Sequence, residues 1–231
     1  MYAALPLDRL AHLLLWPFAV VLVALICVSG MPDDLHGWFE LTEKSLTYWG
    51  LVMAAAFGPS AWWAPWRLVW RVLPALDAVF PDLNGTWTGT TKSNWPVHHL
   101  MLQAAEGAVV LDRASLAAVP LEEGSIKLTI KASLFALRIA GELGRTGGSS
   151  HSTTVRVSRD ENRDAWRLDY VYRQDTPQPV DTDEGSHVGA ATVRLDGSSK
   201  PPTLIGEYWT RRRWRSGLNT AGLIEVTRSS R

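Results

Sequence analysis

Three sets of residues beyond residue 81 carry side chains suited to gripping a flat, anionic ligand. Tyr170 and Tyr172 stand two apart, Tyr208, Thr210 and Arg212 repeat that spacing, and Thr91 and Ser93 follow Gly85, Trp87 and Gly89 at the same interval. Aromatic faces can stack on nucleobases, hydroxyls both donate and accept, and a guanidinium holds a phosphate through two parallel hydrogen bonds. A spacing of two puts such side chains on one face of a strand. Thr91, Ser93, Tyr170, Tyr172, Tyr208, Thr210 and Arg212 are therefore the candidate ligand-binding residues, with core filling as the plain alternative for the three tyrosines.

No catalytic set accompanies them. His98 and His99 are adjacent and lack metal-ligand spacing, and a lone Cys27 leaves no Cys/His cluster. Ser150-His151-Ser152 lies in a Gly/Ser-rich run without a G-x-S-x-G elbow. Asp181-x-Asp183-x-Gly185 lacks the glutamate that closes a calcium loop. The expectation is a binding protein rather than an enzyme, with no metal and no cofactor.

The elements that must position these residues are strands. Leu83–Trp95 reads as one, with Gly85, Trp87, Gly89, Thr91 and Ser93 on one face and Thr86, Thr88, Thr90 and Lys92 on the other. The first face is too small and too polar to fill a core, so Gly89 is expected to leave pocket volume that a valine would occupy. Further strand signals run over Ser125–Lys131, Leu134–Ala140, Thr153–Ser158, Ala165–Arg173, His187–Leu195, Thr203–Arg213 and Leu218–Arg228. Turn-forming runs separate them at Gly144–Ser150, Asp160–Asp164, Thr176–Gly185 and Asp196–Pro202. The pattern predicts an all-β domain over residues 82–231, a minimal antiparallel β-barrel of about eight strands, a size that can hold one small ligand. Trp166, Leu168, Tyr170 and Tyr172 form one inward row, and Leu204, Gly206, Tyr208, Thr210 and Arg212 another; both begin apolar and end polar. One end should be a packed plug and the other a pocket, with Arg211 and Arg213 turned to solvent or lipid. Between Pro96 and Glu123 the expectation is a short helix near Leu100–Ala105 and an extra strand near Val109.

Residues 1–81 have another character. Leu10–Val28 is an apolar run of membrane-spanning length, a second follows at Leu46–Trp66 with Gly58-Pro59 inside it, and Met31–Lys44 between them is acidic. Seven of the twelve tryptophans fall in these residues, Trp62, Trp63, Trp66 and Trp70 lying with Arg67 and Arg71 as an interfacial belt would. Two transmembrane α-helices are expected, with a short periplasmic loop and, by the placement of Arg9, Arg67 and Arg71, cytoplasmic N and C termini. A cleaved signal peptide over residues 1–30 and a buried helical hairpin are the competing readings. The zero formal net charge speaks against DNA or RNA as a partner.

Taken together, two N-terminal spans, Leu83-Asn84-Gly85-Thr86-Trp87-x-Gly89 with Ser93, Tyr170-x-Tyr172, His187-x-Gly189, and Leu204-x-Gly206-x-Tyr208-x-Thr210-x-Arg212 with Gly217 resemble one family. It is the two-transmembrane, β-strand-rich effector family of bacterial CBASS anti-phage defence, which is associated with cyclic-oligonucleotide synthases. The resemblance implies a cytoplasmic barrel that binds a cyclic dinucleotide and a two-helix anchor in the inner membrane. It further implies that binding drives homo-oligomerisation and loss of membrane integrity, killing the infected cell, in partnership with a cyclic-nucleotide-forming nucleotidyltransferase. The alternative from the residues alone is a membrane-tethered, lipocalin-like carrier or sensor of an apolar or lipid ligand.

Overall fold

The alternating segments form eight antiparallel strands that close into a barrel: β1 (Gly85–Ser93), β2 (Glu122–Ala132), β3 (Leu137–Leu143), β4 (Ser149–Asp160), β5 (Ala165–Asp175), β6 (Ser186–Asp196), β7 (Thr203–Thr210) and β8 (Ala221–Ser230). The computed structural model describes residues 7–57, 68, 70–72, 74, 77, 80–133, 136–144, 147–160 and 165–230. Each strand pairs with its sequence neighbour, and β1 also pairs with β8 from Thr86 opposite Ser230 to Ser93 opposite Gly222. Closure satisfies backbone donors and acceptors that an open sheet would leave on two edges.

Period-two alternation fills the interior. Trp87, Ile126, Leu128, Ile130, Val157, Leu168, Val193, Leu204 and Val226 are buried in one cluster, and the residues between them face out. The end where the chain enters is packed solid. Trp87 is fully buried and its indole N–H donates to the Leu83 carbonyl at 3.1 Å. The Arg228 guanidinium lies over that ring, 4.6 Å from its centroid, while hydrogen-bonding the Asp82 carbonyl and sitting 3.9 Å from its carboxylate. Asn84, also fully buried, accepts from the Ala132 N–H at 2.7 Å and donates to Asp82 at 3.0 Å. Trp70 and Phe80 cap this end, the Trp70 indole N–H donating to the Phe80 carbonyl at 3.1 Å.

Glycines set how closely neighbouring strands approach. A Cβ on Gly89 would overlap the Glu225 carbonyl oxygen of β8, and one on Gly206 would overlap that of Thr192 on β6. The expectation that Gly89 leaves room in the pocket is therefore corrected: its missing side chain lets the β1–β8 seam form.

Outside the barrel, α1 (Leu7–Ser29) and α2 (Leu35–Phe57) pack on one another, with Phe18 edge-on to Trp49 at 6.4 Å. The acidic connection is shorter than expected. Asp34 accepts from the Gly37 N–H at 2.8 Å and starts α2, and Glu40 pairs with Lys44 one turn on at 3.3 Å, so both lie in the helix. Trp62, Trp63, Trp66 and Arg67 lie outside the described residues. Among the described residues no helix is long and apolar enough to cross a membrane. Between β1 and β2 the chain forms α3 (Trp95–Ala105), longer than predicted, and α4 (Arg113–Ala118), capped by Asp112 accepting from the Ser115 N–H at 2.7 Å. The strand predicted near Val109 is absent; residues 106–112 are turn and extended connection before that cap.

Gly89→Val is expected to lower stability by about 2–3 kcal/mol because it overfills a seam between two backbones. Thr88→Val, one residue away on the exposed face, should change it by less than about 0.5 kcal/mol. Denaturant unfolding of both variants checks this, and a Gly89→Val protein as stable as its parent would contradict it.

Candidate ligand-binding site

At the end opposite Trp87 the inward rows turn polar and enclose a cavity of about 180 Å³. Thr91, Ser93, Tyr208, Thr210 and Arg212 line it. Burial pushes ionisation of the Tyr208 hydroxyl to higher pH, and the nearby Ser93 hydroxyl pulls it back. Thr210 faces Thr220 with hydroxyl oxygens 3.0 Å apart, and the Thr91 hydroxyl donates to the Gly124 carbonyl at 3.4 Å. The row of hydroxyls is thus partnered within the wall yet keeps acceptor capacity toward the cavity.

Tyr170 and Tyr172 do not line it. They occupy the buried cluster beneath, rings 5.8 Å apart, and burial raises both hydroxyl pKa values well above the ordinary value. Gly189 stands opposite Tyr172 on β6, and the Tyr172 ring fills the space a Cβ there would need. The His187-x-Gly189 pair therefore divides its work, His187 reaching the cavity while Gly189 admits the tyrosine.

Arg212 reaches the cavity by a different route from the one expected. β7 ends at Thr210, and Arg211 to Arg213 belong to a turn held by the Arg211 N–H donating to Val188 at 2.7 Å. Arg213 then adopts a left-handed backbone, φ 42°, before a 3₁₀ turn over Trp214–Ser216 and Gly217 at φ 69°. Strand alternation does not place this guanidinium; the turn does. It lies 4.8 Å from the centroid of the Trp95 ring and 3.5 Å from the Asp183 carboxylate, with Arg212 17% and Asp183 6% exposed. Trp95 is itself positioned by Asn94, whose side chain accepts from the Ala221 N–H at 2.9 Å, and by its own N–H donating to Ser93 at 3.2 Å.

Sequence reasoning missed Trp95, Glu122, Gln174, Asp183, His187 and Thr220, all of which line the cavity. Gln174 extends the row of Tyr170 and Tyr172 by one step of two, Glu122 extends the row of Ile126 and Leu128 by two such steps through Gly124, and His187 opens the row of Gly189, Ala191 and Val193, so period-two reading carried further would have reached them. Trp95, Asp183 and Thr220 come from connections, where no periodicity exists to follow.

His187 is 5% exposed and its Nδ1 is buried with no hydrogen-bond partner. Burial holds its pKa below the ordinary value, the nearby Arg212 charge acting the same way against the opposing pull of Asp183, Glu184 and Asp175. A neutral imidazole with an unused ring nitrogen can donate or accept toward a ligand. Among the described residues no cluster of three His, Cys, Asp or Glu is arranged for a metal ion. The site offers aromatic stacking, one cation and a wall of hydrogen-bonding groups.

Comparison with known proteins fits this arrangement. Residues 78–228 match the family model described as Cap15, cyclic dinucleotide receptor domain. The chain is also 31% identical over 148 residues to CD-NTase-associated protein 15 of Escherichia albertii, a match covering 64% of this chain and 62% of that protein's length.

The depressed pKa of His187 makes a pH prediction. Below about pH 6.5 the unfolded imidazole takes up a proton that the folded one refuses until lower pH, so the unfolded state binds more protons and stability falls with pH in that window. His187→Gln should flatten the fall in melting temperature between about pH 7 and 5.5, a range set by the histidine reference value. An equally steep fall in the variant would contradict the assignment.

Proposed function

Because this chain belongs to the Cap15 family of cyclic dinucleotide receptor domains, the β-barrel effectors of CBASS defence, we propose that its barrel is the receptor half of an anti-phage effector and that the ligand, a cyclic dinucleotide, binds at the open end. The observation that carries this is the placement of Arg212 over Trp95 at the rim of a cavity walled by Thr91, Ser93, Tyr208 and Thr210. A base can stack on the indole while a phosphodiester meets the guanidinium. An apolar ligand is disfavoured, since the same cavity carries Glu122, Glu123, Asp183 and Arg212.

In this reading the protein is a receptor and not an enzyme, and residues 1–81 anchor it in the bacterial inner membrane through two spans with both termini cytoplasmic. The apolar run Leu10–Val28 supports the anchor, as do the exposed Leu15, Trp16, Val20 and Val23 of α1 and Phe39, Leu46 and Leu51 of α2. The chain enters the barrel at its packed end, so the pocket opens away from the anchor's point of attachment. Two helices per chain cannot enclose a pore, so membrane disruption requires many copies, and the ligand must favour the assembled state by differential affinity. The partner that supplies ligand is a cyclic-nucleotide-forming nucleotidyltransferase.

Calorimetry of the full chain in detergent against cyclic di-GMP, cyclic di-AMP and cyclic di-UMP is expected to give saturable heat with at least one of them. Arg212→Ala should weaken that binding by about tenfold or more, the worth of a charge-assisted contact, in a barrel that still folds, its melting temperature lowered by the Asp183 carboxylate left uncompensated. No heat from any of the three would count against the reading. Light scattering of the same samples should show larger species only with ligand; an unchanged size distribution at saturation would remove the assembly step.

A further inference from the structure

The cavity's 180 Å³ is below the roughly 300–1,000 Å³ of pockets that enclose a drug-sized ligand, so a cyclic dinucleotide seated there also meets part of the rim. The Thr176–Gly185 loop joining β5 to β6 is that part: it contributes Val180, Thr182 and Asp183 to the cavity wall. The loop is closed at its neck by the Thr176 N–H donating to Gly185 at 2.8 Å and braced within by the Asp183 N–H donating to Val180 at 2.8 Å. It is fastened to the β7–β8 turn at two adjacent points. Asp183 faces the Arg212 guanidinium at 3.5 Å, and Glu184 accepts from the Arg213 N–H at 3.0 Å. The Glu184 N–H in turn donates to the Asp183 carboxylate at 2.8 Å and fixes its direction.

We propose that Asp183 occupies the anion subsite of this pocket in the unliganded protein, and that a phosphodiester of the ligand takes its place on Arg212 and releases the Thr176–Gly185 loop. This rests on the reading of the open end as a cyclic dinucleotide site.

Two physical facts carry the exchange. The Asp183–Arg212 pair is nearly dry, and removing one partner of such a pair leaves the other charge uncompensated, whereas replacing one anion by another does not. Second, the cavity wall holds one arginine against Glu122, Glu123 and Asp183. A ligand carrying two phosphodiester charges would meet like charge there unless one carboxylate withdrew, and Asp183 is the one mounted on a loop. Trp95 holds the guanidinium against its ring during the exchange.

The test is the full chain carrying Asp183→Asn, which keeps an acceptor for the Glu184 N–H and removes the charge. Using whichever of cyclic di-GMP, cyclic di-AMP and cyclic di-UMP the parent binds best, the variant should bind about 5- to 20-fold tighter, since an internal competitor lowers the competent fraction. In an Arg212→Ala background the same substitution should bring no gain. Without ligand, hydrogen–deuterium exchange should rise at residues 176–185 and stay unchanged in β1 and β8. Asp183→Ser, read the same way, guards against an effect peculiar to asparagine. If the parent binds and neither variant binds tighter, the proposal is overturned while the function stands. If the parent binds none of the three nucleotides, the function reading falls, and with it the exchange of one anion for another. The fastening itself is then decided by the ligand-free arm: raised exchange at residues 176–185 supports it and unchanged exchange overturns it.

Discussion

Closing a small barrel requires its first and last strands to pair along their length, and the stacked contact between Arg228 and Trp87, tied to Asp82, joins those strands at one end. The contact is buried, and the indole that carries it is also the largest fully buried side chain among the described residues. With volume spent there on Trp87, Leu204, Leu168 and Val226, the opposite end needs no apolar filling to keep the barrel closed. The backbone ladder does that work, helped by glycines at Gly89, Gly206 and Gly222, where any side chain would meet a neighbouring carbonyl. A hollow, polar end is therefore compatible with a stable fold.

What the hollow end can recognise follows from what projects into it. The strands supply a fixed wall of hydroxyls, and the three connections β1–β2, β5–β6 and β7–β8 supply Trp95, Asp183 and Arg212. Strand-borne groups are held by the ladder, whereas those on connections can move at lower cost. Recognition by the wall and response by the loops is a division of labour the topology makes available, with the chain entering the barrel at the far, packed end.

The eight strands were legible because each alternates with a period of two and is bounded by glycine, proline or polar turns, as in Ile126, Leu128 and Ile130 of β2. So was the polarity of the barrel, since the Leu204, Gly206, Tyr208 and Thr210 row passes from apolar to polar along its length. Alternation stops being informative where strands stop. Arg212 was assigned to a strand that ends two residues earlier, and it reaches the cavity from the turn that follows, just before the left-handed Arg213. Tyr170 and Tyr172 share a face with Gln174, yet only Gln174 lies high enough to meet the cavity, because depth along the barrel depends on register with β6. Gly89 was on the correct face with the wrong consequence, as the distance to β8 is a property of the closed barrel and not of β1.

Everything proposed for the open end turns on a cyclic dinucleotide binding against Trp95 and Arg212. A structure of the full chain with its best-binding cyclic dinucleotide tests it most directly. A base is expected on the Trp95 ring, with a phosphate oxygen within about 3 Å of the Arg212 guanidinium and Asp183 withdrawn from it. Ligand bound elsewhere on the barrel, with the Asp183–Arg212 pair intact, would contradict it.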